Sequence, residues 1–149
     1  PFRVLELVKD SFREMHKQMK GHNISILGLA FKGNSSDIRN TPSRTIAIEL
    51  SKLGASIRVH DPHVDFEEAK RLLGKNQIEY CRDVWESIQD ASCLIIATDH
   101  LEYRRLQLSQ ISSLMAKPGA LVDARHIFRP EDVVESGLIY RGVGRRLES

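Results

Sequence analysis

The chain has 149 residues, 41% of them hydrophobic and 28% charged. That is the size of one ordinary domain, able to bury roughly 68–70% of its unfolded surface, and it excludes a disordered or fibrous chain. Twenty-two basic residues against twenty acidic ones leave a net charge of +2, too balanced for bulk electrostatics to indicate a nucleic-acid partner. No apolar run approaches the ~18 residues of a membrane span, and Pro-Phe-Arg-Val is not the start of a signal peptide. The absent initiator methionine leads us to expect a piece of a longer polypeptide. Cys81 and Cys93 form no CxxC and sit in no Cys/His cluster. We expect no disulfide scaffold and no metal site, but two small buried apolar residues in a reducing, cytoplasmic setting.

In residues 1–20, Phe2, Leu5, Val8, Phe12, Met15 and Met19 recur at spacings of three and four, which predicts one helix with one apolar stripe. Pro1 suits its first turn and Gly21 the position just past its end. The stripe needs cover, from this domain, a neighbouring domain or a second copy. From Asn23 the pattern becomes short aliphatic runs alternating with capped helices. Residues 24–30 read as a buried strand. Thr41-Pro42 opens a helix, with Thr as N-cap and Pro in the first turn; Ile46, Leu50 and Leu53 face inward and Gly54 ends it. Residues 56–60 are a second strand, stopped by Asp61-Pro62. Asp65 and Glu68 have capping-box spacing before a helix that Gly74 closes. Residues 78–81 are a short strand, and Asp83 with Glu86 starts a helix containing Trp85 and Ile88.

Residues 93–98 are nearly all apolar, as a strand covered on both faces of a parallel sheet must be. A less regular helical stretch follows, with Leu106, Ile111, Leu114 and Met115 as its apolar positions. After the Pro118-Gly119 turn, residues 120–123 are a strand, Pro130 opens a short helix ended by Gly137, and residues 138–140 are the last strand. This alternation predicts an α/β fold: a Rossmann-like doubly wound parallel sheet of about six strands, preceded by one long helix.

Ligands of open parallel sheets sit beyond the carboxyl ends of the strands, where the strand order reverses. Three strand ends carry chemistry: Gly28-Leu-Ala-Phe-Lys-Gly33, Thr98-Asp99-His100 and Asp123-Ala124-Arg125. Lys32 and Arg125 can then share one crevice, a mobile point charge beside a rigid fork of donors, which suits a diphosphate. Two charge-assisted hydrogen bonds of about 1.5–3 kcal/mol each are a large part of the roughly 8 kcal/mol of micromolar binding. Taken singly, Lys32 reads as a solvated lysine and Arg125 as a surface ion-pair partner. Asp61 is ambiguous, because an acid at the end of a second strand often holds a ribose. The first loop, however, is not G-x-G-x-x-G, and the next helix starts only near Thr41. We read Asp61-Pro62 as a strand stop and cap and expect no NAD on this domain. An independent NAD(P)-binding oxidoreductase is the alternative, and a receiver-type module lacks its acidic pair. Arg141, Arg145 and Arg146 cluster near the end, but three arginines there are more simply solvated or docked. His60, His63, His100 and His126 lie near strand ends without making a triad with any nucleophile.

The run Ile-Leu-Gly-Leu-Ala-Phe-Lys-Gly-Asn-Ser-Ser-Asp-Ile-Arg-Asn-Thr-Pro-Ser (26–43) resembles a signature of the UDP-glucose/GDP-mannose dehydrogenase family, in its C-terminal nucleotide-sugar-binding domain. Val-His-Asp-Pro-His (59–63), Ala-Thr-Asp-His-Leu-Glu-Tyr (97–103), Val-Asp-Ala-Arg-His-Ile-Phe (122–128) and Ile-Tyr-Arg-Gly-Val-Gly-Arg (139–145) echo it in order. The resemblance implies that residues 1–20 are the end of a central helix that joins two Rossmann-like halves and forms a homodimer contact, with residues 21–149 as the UDP-sugar domain. It implies oxidation of a sugar 6-hydroxymethyl to a carboxylate with two NAD⁺, for polysaccharide biosynthesis. The family's Gly-Gly-x-Cys-x-Pro cysteine and its N-terminal NAD domain are not in this sequence, so the chain alone is expected to be inactive. Position by position, Phe31 and Lys32 match a Phe/Tyr-Lys pair that meets the nucleotide sugar, and Arg125 a substrate-contacting arginine. Asp37 and Arg39 match a D-x-R element with either a substrate or an interface role. The family often continues Arg-Glu-Ser where this chain has Arg-Asn-Thr. Thr98-Asp99-His100 resembles the branch acting on UDP-N-acetylmannosamine and related sugars more than the UDP-glucose branch.

Overall fold

The computed structural model describes residues 2–39, 41–74 and 78–144. Strands β1 (Asn23–Leu27), β2 (Ser56–His60), β3 (Ile78–Cys81), β4 (Ala91–Ile96), β5 (Ala120–Asp123) and β6 (Ile139–Gly142) form one sheet in the order β3-β2-β1-β4-β5-β6. Every pairing is parallel. The expected doubly wound sheet is therefore what the chain forms, and its order reverses between β1 and β4. Helices α1 (Phe2–Met15), α2 (Pro42–Lys52) and α3 (Phe66–Leu73) contribute to one apolar layer. Helices α4 (Val84–Ile88), α5 (Leu101–Arg104), α6 (Leu108–Leu114) and α7 (Pro130–Glu135) contribute to the other. The period-two geometry of a strand explains the division. Along β4, Cys93 and Ile95 join the first layer while Leu94 and Ile96 join the second.

Side-chain caps hold the helix starts where the sequence placed them. Thr41 Oγ1 accepts from Ser43 N (3.3 Å), Asp65 from Glu68 N (3.1 Å) and Asp83 from Glu86 N (3.3 Å). Four boundaries differ from expectation. The leading helix ends at Met15, five residues short of Lys20, because His16 takes a left-handed conformation (φ 56°). The N–H groups of Lys17 and His16 then donate to Phe12 O (3.0 Å) and Arg13 O (3.1 Å), a Schellman closure that usually uses glycine. Gly21 instead serves the next turn. The first strand stops at Leu27, where Gly28 turns the chain with φ +115°. The strand expected at 93–98 is paired from Ala91 to Ile96. The last strand runs Ile139–Gly142, beginning and ending later than read.

Most of the stripe of α1 is covered by this domain: Leu5, Val8, Phe12 and Met15 are buried, with Val4, in the same layer as α2, β4 and β5, whereas Phe2 at the start of the stripe is exposed. Arg141 on β6 is ion-paired with Glu14 on α1, so it fastens the outer strand to the leading helix. The other two arginines of that cluster, Arg145 and Arg146, lie outside the described residues. Cys81 and Cys93 are buried, as expected, and burial pushes each thiol up to about 12. Thiolates are therefore scarce at neutral pH, and neither cysteine is an available nucleophile.

Ser25 is the discordant residue of the sheet. It is fully buried in the central strand, and its hydroxyl has no hydrogen-bond partner. An unpaired buried hydroxyl costs about 1–3 kcal/mol. Ser25→Ala is expected to stabilise the fold by about 1 kcal/mol. In a thermal melt that is a rise of roughly 3 °C for a domain of this size; a lower melting temperature contradicts the assignment.

Candidate functional site

The reversal between β1 and β4 opens onto the loop that leaves β1 at Gly28. Its path is set by polar groups from two other strand ends. Asp61, just after β2, is only 4% exposed. Its Oδ2 accepts from Leu29 N and Ala30 N, both at 2.8 Å, and its Oδ1 from His63 N at 2.8 Å. From the β4 end, Thr98 Oγ1 donates to Ala30 O (2.9 Å), and His100 Nδ1 accepts from Asn34 N (2.8 Å). Asn34 returns a bond, its Oδ1 accepting from Leu101 N at 3.1 Å. Phe31 N donates to the carbonyl of Asp37, which closes the outer part of the loop. Close packing fixes the rest: a Cβ on Gly33 would stand 2.3 Å from Asp99 Oδ1.

Between these anchors Phe31 and Lys32 face outward. Phe31 is 52% exposed, and Lys32 is exposed with its charge felt at the Asp37 carboxylate. Asp37 and Arg39 form a two-pronged pair, Nε to Oδ1 at 3.0 Å and a terminal guanidinium nitrogen to Oδ2 at 3.1 Å. The Arg39 hydrogen bonds hold the Asp37 carboxyl down at about 2. The acid missing after Arg39 is thus not needed for a local ion pair, since Asp37 supplies it.

Arg125 arrives from the end of β5. The buried Asp123 carboxylate folds that turn by accepting from Arg125 N (3.1 Å) and Phe128 N (2.9 Å). The Arg125 guanidinium is half-buried and donates to Asp99 Oδ1 at 3.3 Å, while Arg104 stands 3.9 Å from the other oxygen. Lys32 and Arg125 are therefore linked through one short chain, Gly33 packing on Asp99 and Asp99 on Arg125. A cavity of about 150 Å³ lies beneath Arg125, bounded by Ala97, Ala124 and the Pro42-Ser43 start of α2. At that volume it is too small to enclose a nucleotide.

Sequence reading missed three residues of this region. Asp61 was read as a strand stop; it does make the Asx turn to His63 N, but its main role is to hold the β1 loop. Its Oδ2 is taken up by Leu29 N, Ala30 N and His100 Nε2, and the carboxylate is buried, so it is not presented to a ribose. With the glycine fingerprint also absent, these residues do not fit NAD, and the feature that favoured the independent NAD(P) reading is lost. His100 and Asp99 carry no role that their sequence motif discloses, yet His100 holds Asn34 and Asp99 meets Gly33 and Arg125. Their chemistry was visible, but the closeness of three strand ends was not. His63, His100 and Glu102 bring potential metal-ligand atoms within 4.8 Å of one another. His100, however, accepts from Asn34 N on Nδ1 and faces Asp61 Oδ2 (2.9 Å) with Nε2. Both ring nitrogens are spent, which leaves a hydrogen-bonded cluster.

Such a domain, a six-stranded parallel sheet whose order reverses between β1 and β4, belongs to the Rossmann-like class of doubly wound α/β proteins. More narrowly, residues 25–130 match the UDP-glucose/GDP-mannose dehydrogenase family, UDP binding domain, and the chain belongs to that family. It is 33% identical over 156 aligned residues to UDP-glucose 6-dehydrogenase TuaD of Bacillus subtilis, covering 97% of this chain and 33% of TuaD. The UDP-glucose 6-dehydrogenase of Rhizobium meliloti is 34% identical, with 85% of this chain and 28% of that protein covered. In structure it is similar to the NDP-N-acetyl-D-galactosaminuronic acid dehydrogenase of Methanosarcina mazei, with a TM-score of 0.86, 28% identity, and 97% and 29% of the two chains covered. The chain spans about a third of the length of these curated relatives. No helix among the described residues is long and apolar enough to cross a membrane.

Proposed function

We propose that this chain binds the UDP moiety of a UDP-sugar for an NAD-dependent nucleotide-sugar 6-dehydrogenase, a cytoplasmic enzyme that converts the sugar 6-hydroxymethyl to a carboxylate for polysaccharide biosynthesis. The observation that carries the reading is the built loop. Anchored backbone presents Phe31 and Lys32 outward, and the packing of Gly33 on Asp99 ties that loop to Arg125. Lys32 and Arg125 would neutralise the diphosphate, and Phe31 offers an exposed aromatic face beside them. Asp37 and Arg39 are paired with each other, which favours a supporting or interface role over direct substrate contact. The catalytic cysteine and the NAD-binding part would come from the rest of the longer protein; the buried thiols of Cys81 and Cys93 supply neither. Residues 1–20 are read as the end of the helix that links the two halves. Because α1 lays its apolar stripe on this domain, a homodimer contact would use its outer face, where Arg3, Glu6, Lys9 and Arg13 are exposed.

The sugar we propose is N-acetylmannosamine or a related hexose. Asp99-His100 supports the N-acetylhexosamine side, as do the names of the Methanosarcina enzyme and of a UDP-D-ManNAc dehydrogenase from Pyrococcus horikoshii (TM-score 0.80, 25% identity, 97% and 31% covered). The named Bacillus and Rhizobium relatives are UDP-glucose enzymes, and His100 is too deeply buried to touch a sugar. Titration calorimetry of the 149-residue chain with UDP tests the site. Binding is expected, weakened by about 1.5–3 kcal/mol in each of Lys32→Ala and Arg125→Ala. Wild-type affinity in both variants overturns the assignment. Paired titrations with UDP-glucose and UDP-N-acetylmannosamine address the sugar.

A further inference from the structure

The residues at the mouth of the site are held by others that face away from solvent. His100 is fully buried. Its Nδ1 lies 2.8 Å from Asn34 N, which can only donate, so Nδ1 is the unprotonated nitrogen. The ring proton is then on Nε2, 2.9 Å from Asp61 Oδ2. That same oxygen accepts from Leu29 N and Ala30 N. One carboxylate therefore holds the point where the loop leaves the sheet, and the imidazole bonded to it holds the loop again at Asn34, just past Lys32. Phe31 and Lys32 lie between the two. The surroundings fix the ring further: His63 stacks on it with centroids 4.5 Å apart, and Tyr103 packs against it at 5.5 Å. His63 Nε2 is in turn 2.9 Å from Glu102 Oε2. Tyr103 is tied to the end of β2, its hydroxyl donating to His60 O at 2.8 Å.

We propose that Asp61 and His100 are positioning residues for the ligand. The Asp61–His100 pair, with His100 as the Nε2–H tautomer, sets the posture in which Phe31 and Lys32 meet a nucleoside diphosphate. The inference rests on the reading of the loop as a UDP site and deepens it. A carboxylate alone fixes only the entering end, because its oxygens reach Leu29 and Ala30 and not Asn34. A ring carrying its proton on Nδ1 would offer no acceptor to Asn34 N and would leave Asn34 held only through its Oδ1 bond from Leu101 N. The neutral tautomer satisfies both ends at once, with no polar atom of the ring left over.

The test uses the full 149-residue chain. His100→Leu removes both ring bonds; His100→Asn keeps an acceptor where Nδ1 was. We expect His100→Leu to weaken UDP binding about tenfold, the effect of one lost hydrogen bond, and to speed exchange of the Asn34 amide proton. His100→Asn should recover most of the affinity and the Asn34 protection. Wild-type UDP affinity with unchanged Asn34 exchange in a folded His100→Leu overturns the proposal, and so does a failure of His100→Asn to rescue. If His100→Leu does not fold, nitrogen-15 spectra of the wild-type imidazole decide: Nε2 protonated and Nδ1 bare is the expected result, and a proton on Nδ1 overturns it. If wild-type chain does not bind UDP, the site reading fails on its own. The Asn34 exchange and the tautomer still decide the clamp: faster exchange in His100→Leu supports it, and unchanged exchange rejects it.

Discussion

Gly28→Ala is expected to be the most damaging single-methyl change in the described residues of the loop. Gly28 sits at φ +115°, a region that costs an L-residue about 1–3 kcal/mol. A Cβ there would lie 2.2 Å from Thr98 Oγ1, 2.4 Å from Thr98 Cβ and 2.6 Å from Thr98 N. Rotating the threonine relieves the first contact but not the last, which is backbone. Forcing the two strand ends apart adds about 1–3 kcal/mol of overpacking. It would also strain the Thr98 bond to Ala30 O. The sum, roughly 2–6 kcal/mol, is a large part of the 5–15 kcal/mol that a domain of this kind has in total. A urea titration should show it as a lower midpoint at unchanged slope. Gly21→Ala is the control: its φ is +80° but no atom lies within 4 Å of the added methyl, so it should cost only about 1 kcal/mol. Equal losses in the two variants would mean that the contact with Thr98 is not rigid.

The second large effect is acid sensitivity through Asp61. Burial by itself would raise this carboxyl, but the His100 hydrogen bond and the N–H groups of Ala30, Leu29 and His63 outweigh it and hold it below the usual range. The unfolded carboxyl takes its proton near pH 3.9, the folded one only at lower pH. Stability from this group is therefore complete above about pH 5 and is lost as pH falls through the native value. His60 works in the same direction at higher pH: burial, only partly offset by the neighbouring acids, favours its neutral form, so stability falls below about pH 6.5. Asp61→Asn should cost about 3 kcal/mol at pH 7, since it breaks a buried hydrogen-bonded pair. The gap between wild type and variant should then narrow in urea titrations between pH 5 and pH 3. Asp37, also low, is exposed and present in both proteins, so it cancels in the difference. A gap that stays constant down to pH 3 would show that Asp61 gains nothing from its charge.

Where structure is dictated locally, the sequence was enough to read it. Thr41-Pro42, Asp65 with Glu68 and Asp83 with Glu86 are caps made within one turn, and each is found in place. The strand identities and the doubly wound class follow from apolar runs that a parallel sheet buries on both sides. The end of α1 could not be read, because Lys17, Gln18 and Met19 continue a helical pattern and the stop is a histidine in a glycine-type conformation. The start of β4 was hidden by Ala91 and Ser92, small residues that look like a loop until pairing buries them. For the site, residue types and strand ends place Lys32 and Arg125 in one region, and Phe31 joins them only through the family resemblance. The partners that hold the β1 loop come from positions 31 to 68 residues away along the chain, as Asp61 with Ala30 and Thr98 with Ala30 show. No periodicity records contacts of that kind.

None of the bonds that shape the β1 loop involves the side chain of Phe31 or Lys32; they use backbone amides, backbone carbonyls and the Asn34 amide. The loop's posture is thereby separated from its two outward side chains, and exchanges at positions 31 and 32 would leave the bonds that hold it undisturbed. Changes at Asp61, Thr98 or His100, in contrast, would have to be accommodated together.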